Sequence, residues 1–263
     1  MRAHLVQLDI AWEDREANYA AVRRLLEPAS VQPGDFVLLP ELFDSGFSLN
    51  TEVTADRDGR TGAFLRDLAA ELRCTVQGGR TVREPGADLA TNRMTVYTGF
   101  ETEAPRLLAD YSKVHPFSFG REGERFTGGT EVVTYPWTGP EGSLTVCPAV
   151  CYDLRFPELF RRGLRMGAEL FAIGANWPSP RRQHWRTLAQ ARAIENQAFV
   201  LAVNRTGDDP HLPYAGDTLA IDPAGIVLAD PGETECVASV TIEIARVGLW
   251  RAEFPAWRDA RLD

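Results

Sequence analysis

Strand-length apolar runs alternate with helix-patterned segments along the whole of this 263-residue chain, and no long linker interrupts them. Ala3 to Ile10 reads as a strand, Asn18 to Leu26 as a helix ended near Pro28, and Asp35 to Pro40 as a short buried strand. Thr61 to Leu72 reads as a helix with Phe64, Leu65, Leu68 and Leu72 on one side, and Thr75 to Thr81, Thr91 to Tyr97 and Arg106 to Tyr111 as strands. The second half repeats the style. Strands are expected at Val132 to Tyr135, Leu144 to Val150, Glu169 to Ile173, Phe199 to Asn204, Asp217 to Asp222, Ile226 to Asp230 and Cys236 to Ile242, with helices at Glu158 to Arg165 and Gln183 to Asn196. Such alternation needs a layered α/β core in which each helix buries its apolar stripe against a sheet. A Rossmann-like arrangement is the generic form. Its dinucleotide version lacks a fingerprint here, because no Gly-x-Gly-x-x-Gly follows the first strand and Gly78-Gly79 opens no glycine-rich helix start. Gly-Pro turns punctuate the elements without separating them, so a single domain over residues 1–263 is expected.

Three of the predicted strands end in groups that carry chemistry. The run to Val150 breaks at Cys151 into the turn Tyr152-Asp153-Leu154-Arg155-Phe156-Pro157; a thiol at a strand end, followed by backbone N–H groups such as that of Tyr152, can attack a carbonyl and hold the oxyanion. Phe36-Val37-Leu38-Leu39-Pro40 ends in Glu41, a candidate general base, and the run from Arg106 ends in Lys113, whose ammonium would offset charge on a substrate oxygen. In α/β sheets chemistry gathers at the C-terminal ends of strands. The same spacing also fits a surface ion pair between Glu41 and Lys113, with an inert Cys151 capping a core strand.

Composition excludes several classes. The net charge of −9, from 28 basic and 37 acidic side chains, argues against a nucleic-acid partner; the arginines at 161, 162, 165, 181 and 182 have Glu158 and Glu169 near the first group and no aromatic ladder beside them. With four histidines, no His-Glu-x-x-His and no paired Cys-x-x-Cys, no metal is expected, and no cofactor motif is found. No 18-residue apolar span or charged leader is present, so neither membrane insertion nor secretion is expected. The four cysteines form no disulfide framework, which suits a reducing, cytoplasmic setting.

Leu39-Pro40-Glu41, Lys113-Val114-His115 and Cys151-Tyr152-Asp153-Leu154-Arg155-Phe156-Pro157-Glu158 together resemble the three signature segments of the carbon–nitrogen hydrolase, or nitrilase, superfamily, and the resemblance runs from His4 to Trp257. Ala175-Asn176-Trp177-Pro178, Arg181, His184-Trp185, the segment 191–197 and Tyr214-Ala215-Gly216-Asp217-Thr218 are similar to its omega-amidase branch, which commonly has Ser at the position of Thr218. The resemblance implies a four-layer α-β-β-α sandwich of two packed sheets. It further implies that Glu41 is the general base, Lys113 the oxyanion-stabilising cation and Cys151 the nucleophile, with a further glutamate orienting the lysine. Glu122 fits that last place by its distance from Lys113, and Glu124 is the reserve.

The implied activity is release of ammonia from small linear amides through a thioester on Cys151. The branch points to omega-amides of dicarboxylic acids, such as 2-oxoglutaramate or 2-oxosuccinamate. A far carboxylate needs a clamp, for which Arg181, Arg155 and Arg192 are available, with Arg155 expected to pair with Asp153 or Glu158. Trp177 and Phe117 are candidates to limit pocket length. Alternatives are an aliphatic amidase, an N-carbamoyl amide hydrolase, a nitrilase, or a non-enzymatic scaffold. The apolar tail Phe254-Pro255-Ala256-Trp257 is a candidate homodimer contact, against a tail tucked onto its own domain.

Overall fold

The computed structural model describes residues 1–261; Leu262 and Asp263, the end of the expected domain, lie outside the described residues. The first half contains β1 (Arg2–Gln7), α1 (Arg15–Leu26), β2 (Phe36–Leu38), α2 (Thr51–Thr54), α3 (Arg60–Leu72), β3 (Thr75–Val82), β4 (Thr91–Thr98) and β5 (Arg106–Ser112). The second half contains β6 (Tyr135–Gly139), β7 (Gly142–Val150), α4 (Pro157–Arg165), β8 (Leu170–Ala175), α5 (Arg182–Asn196) and β9 (Phe199–Asn204). There follow β10 (Thr206–Asp208), β11 (Pro213–Ala215), β12 (Leu219–Ile221), β13 (Val227–Ala229), β14 (Cys236–Thr241) and α6 (Ala245–Glu253).

Two six-stranded sheets form the centre, with orders β14-β1-β2-β3-β4-β5 and β13-β12-β9-β8-β7-β6. In each, three strands run parallel, β1-β2-β3 and β7-β8-β9, and the other pairings are antiparallel. The parallel strands are apolar on both faces because both are covered. Leu5, Phe36 and Leu38 meet Leu170, Ala172 and Leu201 between the sheets. Their sequence neighbours Val6, Val37 and Leu39 point the other way and pack with Val22, Leu26, Leu65 and Leu68 of α1 and α3. Phe171, Ile173 and Val200 likewise pack outward with Phe160, Ala189 and Ala193 of α4 and α5. Strand alternation therefore sorts the apolar residues into three cores separating four layers, the expected α-β-β-α sandwich.

Several expected elements need correction. Val132 to Tyr135 is not a strand; β6 starts at Tyr135 and runs through Pro136, which an edge strand tolerates because its missing N–H faces no neighbour. Tyr135 and Trp137 are buried while Pro136 and Thr138 are exposed, so alternation resumes across the proline. The hairpin β10–β11 and the helices α2 and α6 had no counterpart in the sequence pattern. The tail docks on its own chain through Trp257, whose backbone N–H donates to Gln197 Oε1 at 2.9 Å and whose ring lies under Arg251 at 5.6 Å, while Phe254 stays 55% exposed. Among the described residues no helix is long and apolar enough to cross a membrane, and no cluster of three His, Cys, Asp or Glu side chains is placed to hold a metal ion.

Candidate active site

Both sheets deliver strand ends to one place. Glu41 follows β2, Lys113 follows β5, Cys151 follows β7 and Asn176 follows β8. Two glycines let the layers close around Glu41: a Cβ at Gly79 of β3 would lie 2.7 Å from Glu41 Cα, and one at Gly174 of β8 would lie 2.9 Å from Glu41 N. The Glu41 backbone is thus held between its own sheet and the opposite one.

The side chains form a buried charged cluster. Lys113 Nζ donates to Glu41 Oε1 at 2.8 Å and to Glu122 Oε2 and Oε1 at 2.8 and 3.1 Å. Glu41 and Glu122 are fully buried and Lys113 is 2% exposed, so this is not the surface ion pair that spacing alone also allowed. Asn92 Nδ2 donates to Glu41 Oε1 at 2.7 Å and Glu122 Oε1 at 3.0 Å, while the Asn176 backbone N–H donates to Glu41 Oε2 at 2.9 Å. Burial works against charge on Lys113, but Glu122 and Glu41 outweigh it and hold the ammonium above the ordinary lysine range.

Cys151 opens a 3₁₀ turn, Cys151–Arg155, with φ +44°, a left-handed conformation that a residue with a Cβ rarely takes. Sγ points to the Asn176 carbonyl at 3.8 Å. Burial pushes the thiol well above its ordinary value and the Glu41 carboxylate pushes it further, with Lys113 pulling the other way. The resting sulfur is therefore a thiol beside a carboxylate rather than a preformed thiolate.

Buried Asp153 holds this turn in place: Oδ2 accepts from Val150 N–H at 3.1 Å and Tyr111 O–H at 2.7 Å, and Oδ1 accepts from His115 N–H at 3.0 Å and meets His115 Nδ1 at 2.8 Å. One carboxylate thus ties the start of the cysteine turn to the segment carrying Lys113.

Cys151 and Lys113 lie at the floor of a cavity of about 590 Å³, walled by Trp12, Phe47, Phe117, Tyr152, Trp177 and Tyr214 among others. Arg155 and Arg181 also line it. Neither is ion-paired to a carboxylate among the described residues: Arg155 lies 4.7 Å from the Trp177 ring centroid with His184 Nδ1 at 3.3 Å, and Arg181 lies 5.5 Å from that of Phe117. The expected pairing of Arg155 with Asp153 or Glu158 does not form, because Asp153 is taken up by Tyr111, His115 and Val150. Arg192 does not reach the cavity; it is 4% exposed and donates to Leu154 O at 2.8 and 3.1 Å and to Glu195 at 2.8 Å, bracing the cysteine turn from behind. Glu124 is exposed and paired with Arg121, whereas Glu122 faces Lys113 and also accepts from Phe117 N–H at 2.6 Å. Asn92 and Asp153 escaped the reading of site residues, since an Asn inside an alternating strand and an Asp in a charged turn carry no distinctive pattern. Asn176, at a strand end, was open to the same argument as Glu41.

The model of the carbon-nitrogen hydrolase family matches residues 2–252. A 2-oxoglutaramate amidase of Bacillus subtilis is 33% identical over 260 residues, covering 98% of this chain and 96% of that protein. An omega-amidase of Yersinia enterocolitica is 32% identical over 263 residues, covering 98% and 96%. Among solved structures, a CN-hydrolase superfamily protein of Xanthomonas campestris with an arsenic adduct in its active site superposes with a TM-score of 0.90 at 38% identity, covering 100% of this chain and 98% of that one. An amidase from Nesterenkonia shares the fold, with a TM-score of 0.85 at 23% identity over 99% and 94% of the two chains.

Proposed function

Because this chain belongs to the carbon–nitrogen hydrolase family, whose cysteine-nucleophile chemistry acts here on carbon–nitrogen bonds of small amides, we propose that it is an omega-amidase that binds the far carboxylate of its substrate on Arg155 and Arg181. The observation that carries this reading is the pair of cavity-lining arginines without a carboxylate partner among the described residues, above a floor of Cys151 and Lys113. The similarity to a 2-oxoglutaramate amidase at 33% identity supports the same substrate class. A guanidinium recognises a carboxylate through two parallel hydrogen bonds, and an unpaired one facing an apolar cavity favours an anionic ligand.

In this mechanism Cys151 Sγ attacks the amide carbon as its proton passes to Glu41, so the buried thiol becomes nucleophilic only as the bond forms. The C–O π electrons move onto oxygen. Lys113 donates to Glu41 and to both oxygens of Glu122, and the hydrogen of the longer 3.1 Å contact turns to that oxyanion, with the Tyr152 backbone N–H as the second donor. The intermediate collapses, the C–N bond breaks, and Glu41 returns the proton to the leaving nitrogen to release ammonia. Water, deprotonated by Glu41, then adds to the thioester carbon; the C–S bond breaks, Glu41 returns the proton to Sγ, and the carboxylic acid leaves. Glu122 orients Lys113 throughout, and the C-terminal tail supplies a homodimer contact through the exposed Phe254.

Ammonia release from 2-oxoglutaramate and 2-oxosuccinamate is measured against propionamide, an N-carbamoyl amino acid and a simple nitrile. The dicarboxylate monoamides are expected to give the highest kcat/KM; equal rates with propionamide would defeat the clamp.

A further inference from the structure

Asn92 stands in β4, one strand away from any strand end that carries a reacting group, and its side chain is 1% exposed. Both hydrogens of its Nδ2 are spent on carboxylates, one on Glu41 Oε1 at 2.7 Å and one on Glu122 Oε1 at 3.0 Å. Its backbone carbonyl accepts from Lys113 N–H at 2.8 Å, so the same residue also fixes the main chain that carries the ammonium. Its Oδ1 is buried with no hydrogen-bond partner among the described residues. That orphan is informative: turning the amide over would aim a carbonyl oxygen at two carboxylates, so the orientation is imposed by Glu41 and Glu122 at the cost of an unsatisfied acceptor. Buried polar atoms are normally paired, and one left unpaired in a native core calls for a reason.

The reason lies in the charge count. Two carboxylates share one ammonium in a buried cluster, and Lys113 cannot serve both oxygens of both groups while keeping a hydrogen for substrate. We propose that Asn92 is a positioning residue, resting on the reading given under Proposed function: its amide spaces Glu41 from Glu122 around Lys113 and keeps Glu41 available as a proton acceptor. The groups that face Glu41 are Lys113 from the end of β5, Glu122 from the 3₁₀ turn Glu122–Glu124, Cys151 from the turn after β7, and the uncharged amides of Asn92 and Asn176. Asn92 is thus the uncharged side-chain donor on the oxygen that Lys113 also holds. Without it that carboxylate loses a hydrogen-bond donor to its charged form, and transfer of the Cys151 proton to it becomes slower, most of all on the acid side.

The test uses Asn92→Leu, which keeps the approximate shape and deletes both donors, and Asn92→Asp, which keeps the shape and adds a third acidic group. Two readouts are followed over about pH 5 to 9: kcat/KM for the amide, and the rate at which iodoacetamide alkylates Cys151, which needs no substrate. Both variants are expected to lose about tenfold or more near neutral pH, with the acid limb of both profiles displaced upward and Asn92→Asp displaced further. A parent-like profile in either folded variant, or a loss of equal size at every pH, would overturn the proposal. If the leucine variant does not fold, as judged by thermal unfolding, the isosteric aspartate variant decides alone. Absence of amide turnover in the parent would sink the omega-amidase reading, while the alkylation profiles would still decide the role of Asn92.

Discussion

Replacing Lys113 with Met keeps the side chain as far as Cε and removes Nζ with its charge, leaving Glu41 and Glu122 buried around a site where Nζ had held both at 2.8 Å. Breaking a buried ion pair by deleting one partner costs about 3–5 kcal/mol, because the remaining charge is left uncompensated. For a chain of this size each kcal/mol moves Tm by about 2–4 °C, so a fall of about 6–20 °C is expected near pH 8. The pH dependence has a definite sign. In the parent the raised Lys113 value gives stability that is complete below the unfolded lysine value of about 10.4 and is lost only as pH rises through the higher folded value. In Lys113→Met two carboxylates are left crowded in a buried site with no cation between them, so the deficit is expected to be largest near pH 8 and to shrink as pH falls toward about 5. Loss of the ammonium from the oxyanion removes about 3 kcal/mol of transition-state stabilisation, roughly a hundredfold to a thousandfold in acylation. Thermal unfolding at the two pH values, with pre-steady-state acyl-enzyme formation, reads both effects. An unchanged Tm near pH 8, or one equally lowered at both pH values, would refute the account of a buried pair.

Cys151→Ala is expected to abolish turnover with the fold intact, and intact-protein mass spectrometry of the parent during turnover should show an acyl adduct on Cys151 alone; Cys147 and Cys74, which are fully buried in the apolar cores and do not line the cavity, should stay unmodified. Asp153→Asn keeps one acceptor and turns an amide donor toward groups that already donate; leaving one such donor unsatisfied costs about 1–3 kcal/mol, and kcat should fall more than KM rises as the cysteine turn loosens from the Lys113 segment. Arg155→Met and Arg181→Met are expected to lower kcat/KM for 2-oxoglutaramate while that for propionamide changes by less than about threefold, since a bidentate clamp contributes only when a carboxylate is present. Equal losses on both substrates in both variants would place the arginines outside substrate recognition.

The layers and the strand ends were legible because they rest on local signals. Phe36 to Leu39 is apolar on successive residues, which fits a strand covered on both faces, and the alternation of such runs with amphipathic helices already demands stacked layers. β6 was misplaced because Pro136 reads as a stop until one knows that the strand is an edge. Glu41, Lys113 and Cys151 stood out as charged or nucleophilic residues ending apolar runs. Their polar supports did not, because Asn92 and Asp153 are defined by long-range partners: Asn92 meets Glu41 across 51 positions of sequence and Asp153 meets Tyr111 across 42. Arg192 failed as a clamp candidate for a related reason, since side-chain direction along a helix face depends on packing that spacing alone does not reveal.

The charge count of the cluster bears on how a buried site of this kind could carry out the proposed acylation. The proposed mechanism starts from two carboxylates, one ammonium and a thiol, a net of one negative charge. In the proposed attack the thiol proton moves to Glu41 and a negative charge appears on the substrate oxygen, so the net is unchanged. Lys113 contacts Glu41 at the start and is placed to contact the oxyanion afterwards; the ammonium exchanges one anionic partner for another within reach of the same nitrogen. A charge that relocates by a few ångström beside a fixed cation needs little reorganisation of its surroundings, which is where preorganised sites gain over water. In this proposal Glu122 and Asn92, both hydrogen-bonded into the cluster, hold the cation and the base still while the charge moves, so their removal should slow acylation even though neither touches the reacting carbon.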